Sequence, residues 1–185
     1  VPVTTTLRPE SAMAWVLDAS HSSITFAVRH MMISKVRGSF SGFAVDASFE
    51  PAALEKGSVT GTIDVATIAT GDAGRDGHLK GDDFFGVEKF PQMTFKSTGA
   101  KKLSDGHYTL EGTLTIKGVS KPVAFDVEAE GPAKDPWGNS RVGFTLKGKL
   151  NREDFGLTWN QALEAGGVLV GKEVELAAEI QLIQK

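Results

Sequence analysis

The sequence predicts an all-β fold, and three observations predict it. Apolar residues recur at every second position through most of the chain, the signature of half-buried strands. Breakers sit between these runs at Glu50-Pro51, Asp105-Gly106, Lys117 to Pro122 and Asp135 to Asn139, leaving short gaps that favour antiparallel neighbours. Glycines fall on the apolar face of several strands, at Gly38, Gly61, Gly112 and Gly148, where bends or close approaches occur. About eight alternating strands with few helices read as a barrel or a sandwich, and the repeated glycines suggest a sheet that curls until it closes.

The elements follow in order. Val1 to Ala14 is polar and Thr-rich and is expected to be a flexible arm, with one domain over residues 15–185. Trp15 to Asp18 is a short strand candidate. In the run from Ser22, Ile24, Phe26 and Val28 share one face. Val36, Gly38 and Phe40 are even, whereas Phe43, Val45, Ala47 and Phe49 are odd. The phase switch at Ser41-Gly42 predicts a bulge that keeps both sets on one face. Further runs start at Val59 (with Gly61 and Ile63), Met93, Tyr108 (with Leu110, Gly112 and Leu114), Val123 (with Phe125), Val142 (with Phe144) and Val174. Helical signals are short: Pro51 to Leu54, Asp72 to Phe85, and Gln161 to Ala165.

Composition narrows the function classes. The 185 residues suffice for one sizeable core. The net charge of −3, with dispersed Lys and Arg, gives no phosphate-backbone footprint, so no nucleic-acid partner is expected. The absence of cysteine removes disulfides, thiolate metal sites and cysteine nucleophiles. No apolar run approaches the ~20 residues of a membrane-spanning helix. The expected compartment is cytoplasmic if the chain is complete as given, and periplasmic or secreted if a leader has been removed.

The apolar face of nearly every strand is almost free of charge. In a closed eight-stranded barrel that face points inward, where side chains fill it or one small ligand does. The inward glycines leave volume that side chains do not fill, which favours a cavity over a packed core.

Several stretches resemble the YceI-like family of lipocalin-like barrels. They are Trp15 to Asp18 with His21-Ser22 and Phe26 to Met31; Ser34 to Phe40; Arg75 to Leu79 with Asp83 to Phe85, Phe90-Pro91 and Phe95 to Ser97; Gly112 to Pro122; and Asn151 to Trp159. The resemblance implies an extended antiparallel eight-stranded barrel around a long apolar pocket. It also implies a polyisoprenoid or other long-chain amphiphile as ligand, and often a homodimer. The chain departs from the family at Gly86, where an Asp often follows Asp-Phe-Phe.

The stretch Gly74 to Phe85 concentrates Arg75, Asp76, His78, Asp82 and Asp83. As a catalytic site it would use His78 as a general base oriented by Asp76 or Asp83, in a hydrolase or isomerase acting on a lipid. No Ser or Thr nucleophile stands in an elbow motif, and His21, His30, His78 and His107 are too dispersed for a recognisable metal motif. No catalytic residue, metal or cofactor is therefore assigned. The structural reading makes the stretch a lid: Arg75 pairs with an Asp, His78 bonds to backbone, Asp72 or Asp82 caps a short helix, and Leu79, Phe84 and Phe85 face inward.

Arg29-His30 is expected to emerge at a barrel rim, in a position to meet a polar head group. Asn151 to Asp154 makes a tight turn, Trp159-Asn160 packs over the pocket, and Trp137 sits at a loop tip able to touch a partner or membrane. The expected pocket residues are Phe26, Val28, His30, Phe40, Ile63, Arg75, His78, Leu79, Phe84, Phe85, Gly112, Leu114, Phe125, Phe144 and Trp159. The expected function is non-catalytic binding, storage or transport of a polyisoprenoid, isoprenoid quinone or fatty-acid derivative. The alternatives are the lipid enzyme above and a protein-interaction module with a packed core.

Overall fold

The computed structural model describes residues 14–164 and 166–184. Eleven strand segments form one sheet: β1 (Ala14–Leu17), β2 (Ser23–His30), β3 (Ser34–Phe40), β4 (Phe43–Ser48), β5 (Ser58–Asp64), β6 (Ile68–Ala69), β7 (Gln92–Ser104), β8 (His107–Ile116), β9 (Val119–Lys134), β10 (Ser140–Asn151) and β11 (Val170–Gln184). One α-helix, α1 (Ala73–Lys80), and four 3-10 turns accompany them.

The sheet closes into an eight-stranded antiparallel barrel because six of the segments act as three interrupted strands. The far edge of β11 is shared: Leu17 of β1 faces Leu182, and Val28 of β2 faces Val174. Likewise β4 lies against β1 and β5, while β3 lies against β2 and β6. The ring then runs through β7, β8, β9 and β10 back to β11, with β5 on β7 completing it.

Each interruption has a local cause. Asp18 accepts from Ser20 N–H and turns Ala19–His21 out of the strand. Its carboxylate also holds His21 Nδ1 at 2.7 Å, and Ser22 Oγ donates to its backbone oxygen. The breaks at Ser41-Gly42 and Val65–Thr67 lie side by side and bond each other. Gly42 N–H donates to Thr67 Oγ1, Thr67 Oγ1 donates to Asp64 O, and Asp64 N–H donates to Gly42 O. The bulge expected at Ser41-Gly42 is therefore a full break. It still leaves Phe40 and Phe43 both packed into the interior.

Two apolar clusters occupy the ends. Phe40, Val65, Ile68, Phe84, Met93, Leu114, Ile116, Phe155 and Leu157 pack at the end closed by α1. Trp15, Phe49, Val142, Ile180 and Leu182 pack at the other, with Trp15 stacked on Phe49 at 4.9 Å. At that second end Arg141 bridges Asp18 (2.6 Å) and Asp135 (2.8 Å). Bonds from Ser20, then Arg141 and His21, hold the Asp18 carboxyl well below the usual carboxylate range.

Two expectations fail or fall outside. Gln161–Glu164 is not helical: Ala162 bridges to Val168, and Leu169 N–H donates to Gln161 O, so the segment turns back on itself. The expected arm lies outside the described residues, apart from Ala14, which opens β1.

Candidate functional site: a two-chambered barrel interior

Inward side chains between the two clusters are apolar yet only half-buried. Phe26, Phe95, Leu110, Phe125, Phe144, Leu146, Leu176 and Ala178 all belong to this set. In a filled core such residues are packed on all sides and lose contact with solvent-sized space altogether. Here they line open space, divided into two chambers.

The deeper chamber has a volume of about 240 Å³, with walls that include Leu110, Leu114, Phe125, Phe144, Leu146 and Ile180. The outer chamber has a volume of about 510 Å³ and reaches α1. That volume is within the roughly 300–1,000 Å³ of small-molecule sites. Phe40, Met93, Ile116 and Leu176 line both, so the chambers adjoin through a shared waist.

The mouth of the outer chamber is built by the stretch that follows β6. Asp72 caps α1 by accepting Arg75 N–H at 2.9 Å. Asp76 reaches back to accept from Thr70 N–H. Arg75 does not pair with an Asp. Its Nε donates to Thr70 Oγ1 (2.8 Å) and its Nη2 to Thr70 O (2.9 Å). The other terminal nitrogen, Nη1, has no protein partner among the described residues. His78 bonds a carboxylate rather than backbone: Nε2 lies 2.9 Å from Asp83 Oδ2. Its ring meets Trp159 at 4.7 Å and Phe84 at 5.1 Å, edge to face. Gly86, the position of departure from the family pattern, has φ +57°. That left-handed conformation favours glycine over aspartate.

Arg152 locks the opposite side of the mouth. It is 4% exposed and has no carboxylate within ion-pair distance among the described residues. It donates instead to four backbone carbonyls: Gly171 O (2.8 Å), Leu157 O (2.6 Å), Trp159 O (2.9 Å) and Val170 O (3.3 Å). Burial pulls its pKa below the ordinary arginine value, with Glu153 acting weakly the other way. Asn151 caps the turn by accepting Glu153 N–H. The expected tight turn is present, and its Arg staples the segment that carries Trp159 over the chamber.

Of the fifteen residues expected at the pocket, Phe26, Val28, His30, Arg75, His78, Leu79, Phe84, Phe85 and Trp159 line the outer chamber. Ile63, Leu114, Phe125 and Phe144 line the deeper one, and Phe40 lines both. Gly112 is the exception. A Cβ on Gly112 would stand 2.4 Å from the Phe95 ring and 2.6 Å from Lys96 O. Gly38 and Gly148 are covered in the same way by Phe26 and Phe125, at 2.3 and 2.5 Å. At these three positions the glycine seats an aromatic ring from the adjoining strand instead of opening the cavity, whereas Gly61, where a Cβ would meet nothing nearer than 4.0 Å, lines the deeper chamber. Sequence reading also missed Thr70 and Arg152, whose roles rest on backbone and hydroxyl contacts that composition does not signal.

Chemically, the site can bury a chain and hold a head. His78 and Asp83 form a base-and-orienter pair, but no nucleophile contacts it among the described residues. No group of three or more metal-ligating side chains occurs among them either. No described helix is long and apolar enough to cross a membrane.

Residues 15–182 match the YceI-like domain family. A UPF0312 protein of Staphylococcus aureus strain MSSA476 is 40% identical over 168 residues, spanning 90% of this chain and 95% of that protein. The crystal structure of a Campylobacter jejuni YCEI protein superposes with a TM-score of 0.74 at 34% identity, covering 85% of this chain and 90% of that one. A polyisoprenoid binding domain from Saccharophagus degradans, implicated in plant cell wall breakdown, superposes with a TM-score of 0.68 at 14% identity, over 94% and 99% of the two chains. At that identity the likeness concerns the fold.

Proposed function

The chain belongs to the YceI-like domain family, and on that premise we propose that it is a non-catalytic carrier of a long apolar chain with a polar head. The polyisoprenoid class comes first, including prenyl phosphates and isoprenoid quinones, and fatty-acid derivatives second. The observation that carries this reading is the pair of adjoining chambers, mostly apolar and without charged lining residues at depth, with Arg, His and Asp side chains at the outer one. A chain laid along them reaches the region of Leu110 and Ile180 while its head stays beside Arg75 and His78.

Burial drives the binding. At about 0.8 kcal/mol per CH₂, some ~15 chain carbons give a gross of about 12 kcal/mol. Association and chain ordering cost several of these, which leaves roughly micromolar affinity or better. No hydrogen bond deep in the barrel is required, so length selectivity is broad until the chambers are full. Arg75 Nη1, without a partner among the described residues, suits an anionic head.

Titration with prenyl alcohols of increasing length tests the proposal. Affinity should climb with each unit and then level off once the chain fills both chambers. A response flat from the shortest alcohol onward would contradict it. Recovery of chemically altered lipid that depends on His78 would favour the enzymatic alternative.

A further inference from the structure

The hairpin joining β2 to β3 has an unusual tip. Met31 and Met32 have φ of +54° and +60°. The loop has three residues, and Ile33 N–H donates to His30 O across the first two; successive positive φ angles at the centre of such a turn favour Asn-Gly, because a side chain crowds the backbone there. This chain uses two methionines at those positions, and both stay about half exposed. Met31 is 44% exposed, Met32 56% and the following Ile33 82%. The strained turn holds three apolar side chains out in solvent.

The tip adjoins the cavity mouth. His30, immediately before it, lines the outer chamber and pairs with Val170. Met31 N–H donates to Leu169 O, and Leu169 lines the same chamber. Cations flank it. Arg29 stands directly opposite Lys35 across the hairpin, a like-charge pairing that is unfavourable without a counter-anion. Lys35 is held by Glu175 at 2.9 Å, whereas Arg29 has no ion pair among the described residues. On the adjoining strand Lys172, paired at 3.7 Å with Glu153, lies one residue from Gly171, which packs against Arg29.

We propose that the Met31–Ile33 tip docks the cavity mouth onto an anionic lipid bilayer. Exposed apolar side chains beside cations match the boundary between acyl chains and anionic head groups. The proposal rests on the amphiphile reading in one respect: a long-chain amphiphile resides in bilayers, so a mouth seated on one gives it a path that avoids water. Trp137 is 78% exposed but sits beyond the Ser140 end of β10, away from Arg152 and the mouth, so it serves as a control.

Flotation with vesicles tests this, using phosphatidylcholine alone and phosphatidylcholine with phosphatidylglycerol. The unaltered chain should float with the mixed vesicles, and several-fold less with neutral ones. Ile33→Asp should cut the floated fraction at least fivefold. Met31→Asn with Met32→Gly should raise the melting temperature by relieving the turn and still reduce flotation. Trp137→Ala should change nothing. Binding of a prenyl alcohol in vesicle-free solution should be equal in all variants. If the unaltered chain bound no prenyl alcohol yet floated in a tip-dependent way, docking would stand and the cavity reading would fall. The proposal is overturned if the chain floats with neither vesicle, if Ile33→Asp floats undiminished, or if Trp137→Ala abolishes flotation. It is also overturned if the tip variants change only the sedimentation coefficient, which would make the tip a protein contact.

Discussion

The two chambers share a waist and differ in almost everything else. The deeper one is walled mainly by Leu, Val, Ile, Ala and Phe, many of them on long paired strands, such as Leu110 facing Phe125 and Leu146 facing Ala178, with no charged side chain among its described lining residues. The outer one is assembled from strand breaks, α1 and the segment stapled by Arg152, and it carries His30, Arg75 and His78. Regular strands can supply only alternation, so they make a surface without polar features. Irregular backbone leaves carbonyls and N–H groups unpaired, and these recruit side chains such as Arg152 and Asp76. Polarity therefore concentrates where the ladder stops. That division matches a ligand with one apolar and one polar end.

A charge placed in each chamber breaks the comparison most severely. Leu114→Lys puts an unpaired ammonium at the wall of the deeper chamber and should cost about 3–5 kcal/mol. His30→Lys, at the mouth, should cost under about 1 kcal/mol. Urea denaturation of the two variants reads the difference, and equal costs would mean that the chambers are not electrically distinct. Next comes Arg152→Leu, which leaves several buried carbonyls unpaired. A loss of roughly 2–3 kcal/mol is expected, with faster amide exchange confined to the segment from Leu157 to Val170. Uniform exchange across the barrel would show that Arg152 is no local staple.

Smaller still is Gly112→Ala. Its Cβ has no room against Phe95, so about 1–3 kcal/mol should be lost. Shrinking the ring with Phe95→Leu in the same chain should return part of it. Additive losses in the double variant would mean that the ring and the glycine do not share the space.

Alternation made the strands legible, because half-buried sheets impose a period of two whatever their partners. Even the break at Ser41-Gly42 shows in the sequence, since it shifts the apolar phase between Phe40 and Phe43. The short β6 and the turn at Val65–Thr67 did not show: they are set by bonds to a neighbouring break, not by their own pattern. The glycines misled for a related reason. Gly112 signals close approach, but only the register reveals that the approaching atoms belong to Phe95. At the site, the apolar wall residues were readable from parity, and the mouth from the family resemblance. Arg75's partner was not. A threonine hydroxyl and carbonyl competed with three nearby aspartates, and geometry favoured the threonine.

Two finer tests sharpen the comparison. Arg75→Ala should weaken an anionic prenyl phosphate by roughly tenfold, the worth of one charge-assisted bond. A neutral isoprenoid quinone should be unaffected. Parallel losses for both ligands, with a lower melting temperature, would make Arg75 a brace. The smallest effect concerns the end opposite α1. Asp18 titrates below its unfolded value, so its contribution is complete above about pH 4 and is lost as pH falls further. Asp18→Asn should lower the melting temperature at neutral pH and flatten its decline in acid. An acid profile identical to that of the unaltered chain would remove Asp18 from the account.

An interior of this shape should hold a long-chain amphiphile. Native mass spectrometry of gently purified protein, followed by organic extraction, tests it most directly. The account predicts a retained mass that extraction releases as an unaltered long-chain lipid, with the emptied barrel rebinding long prenyl or acyl ligands. An empty extract together with no uptake of either ligand class would contradict it.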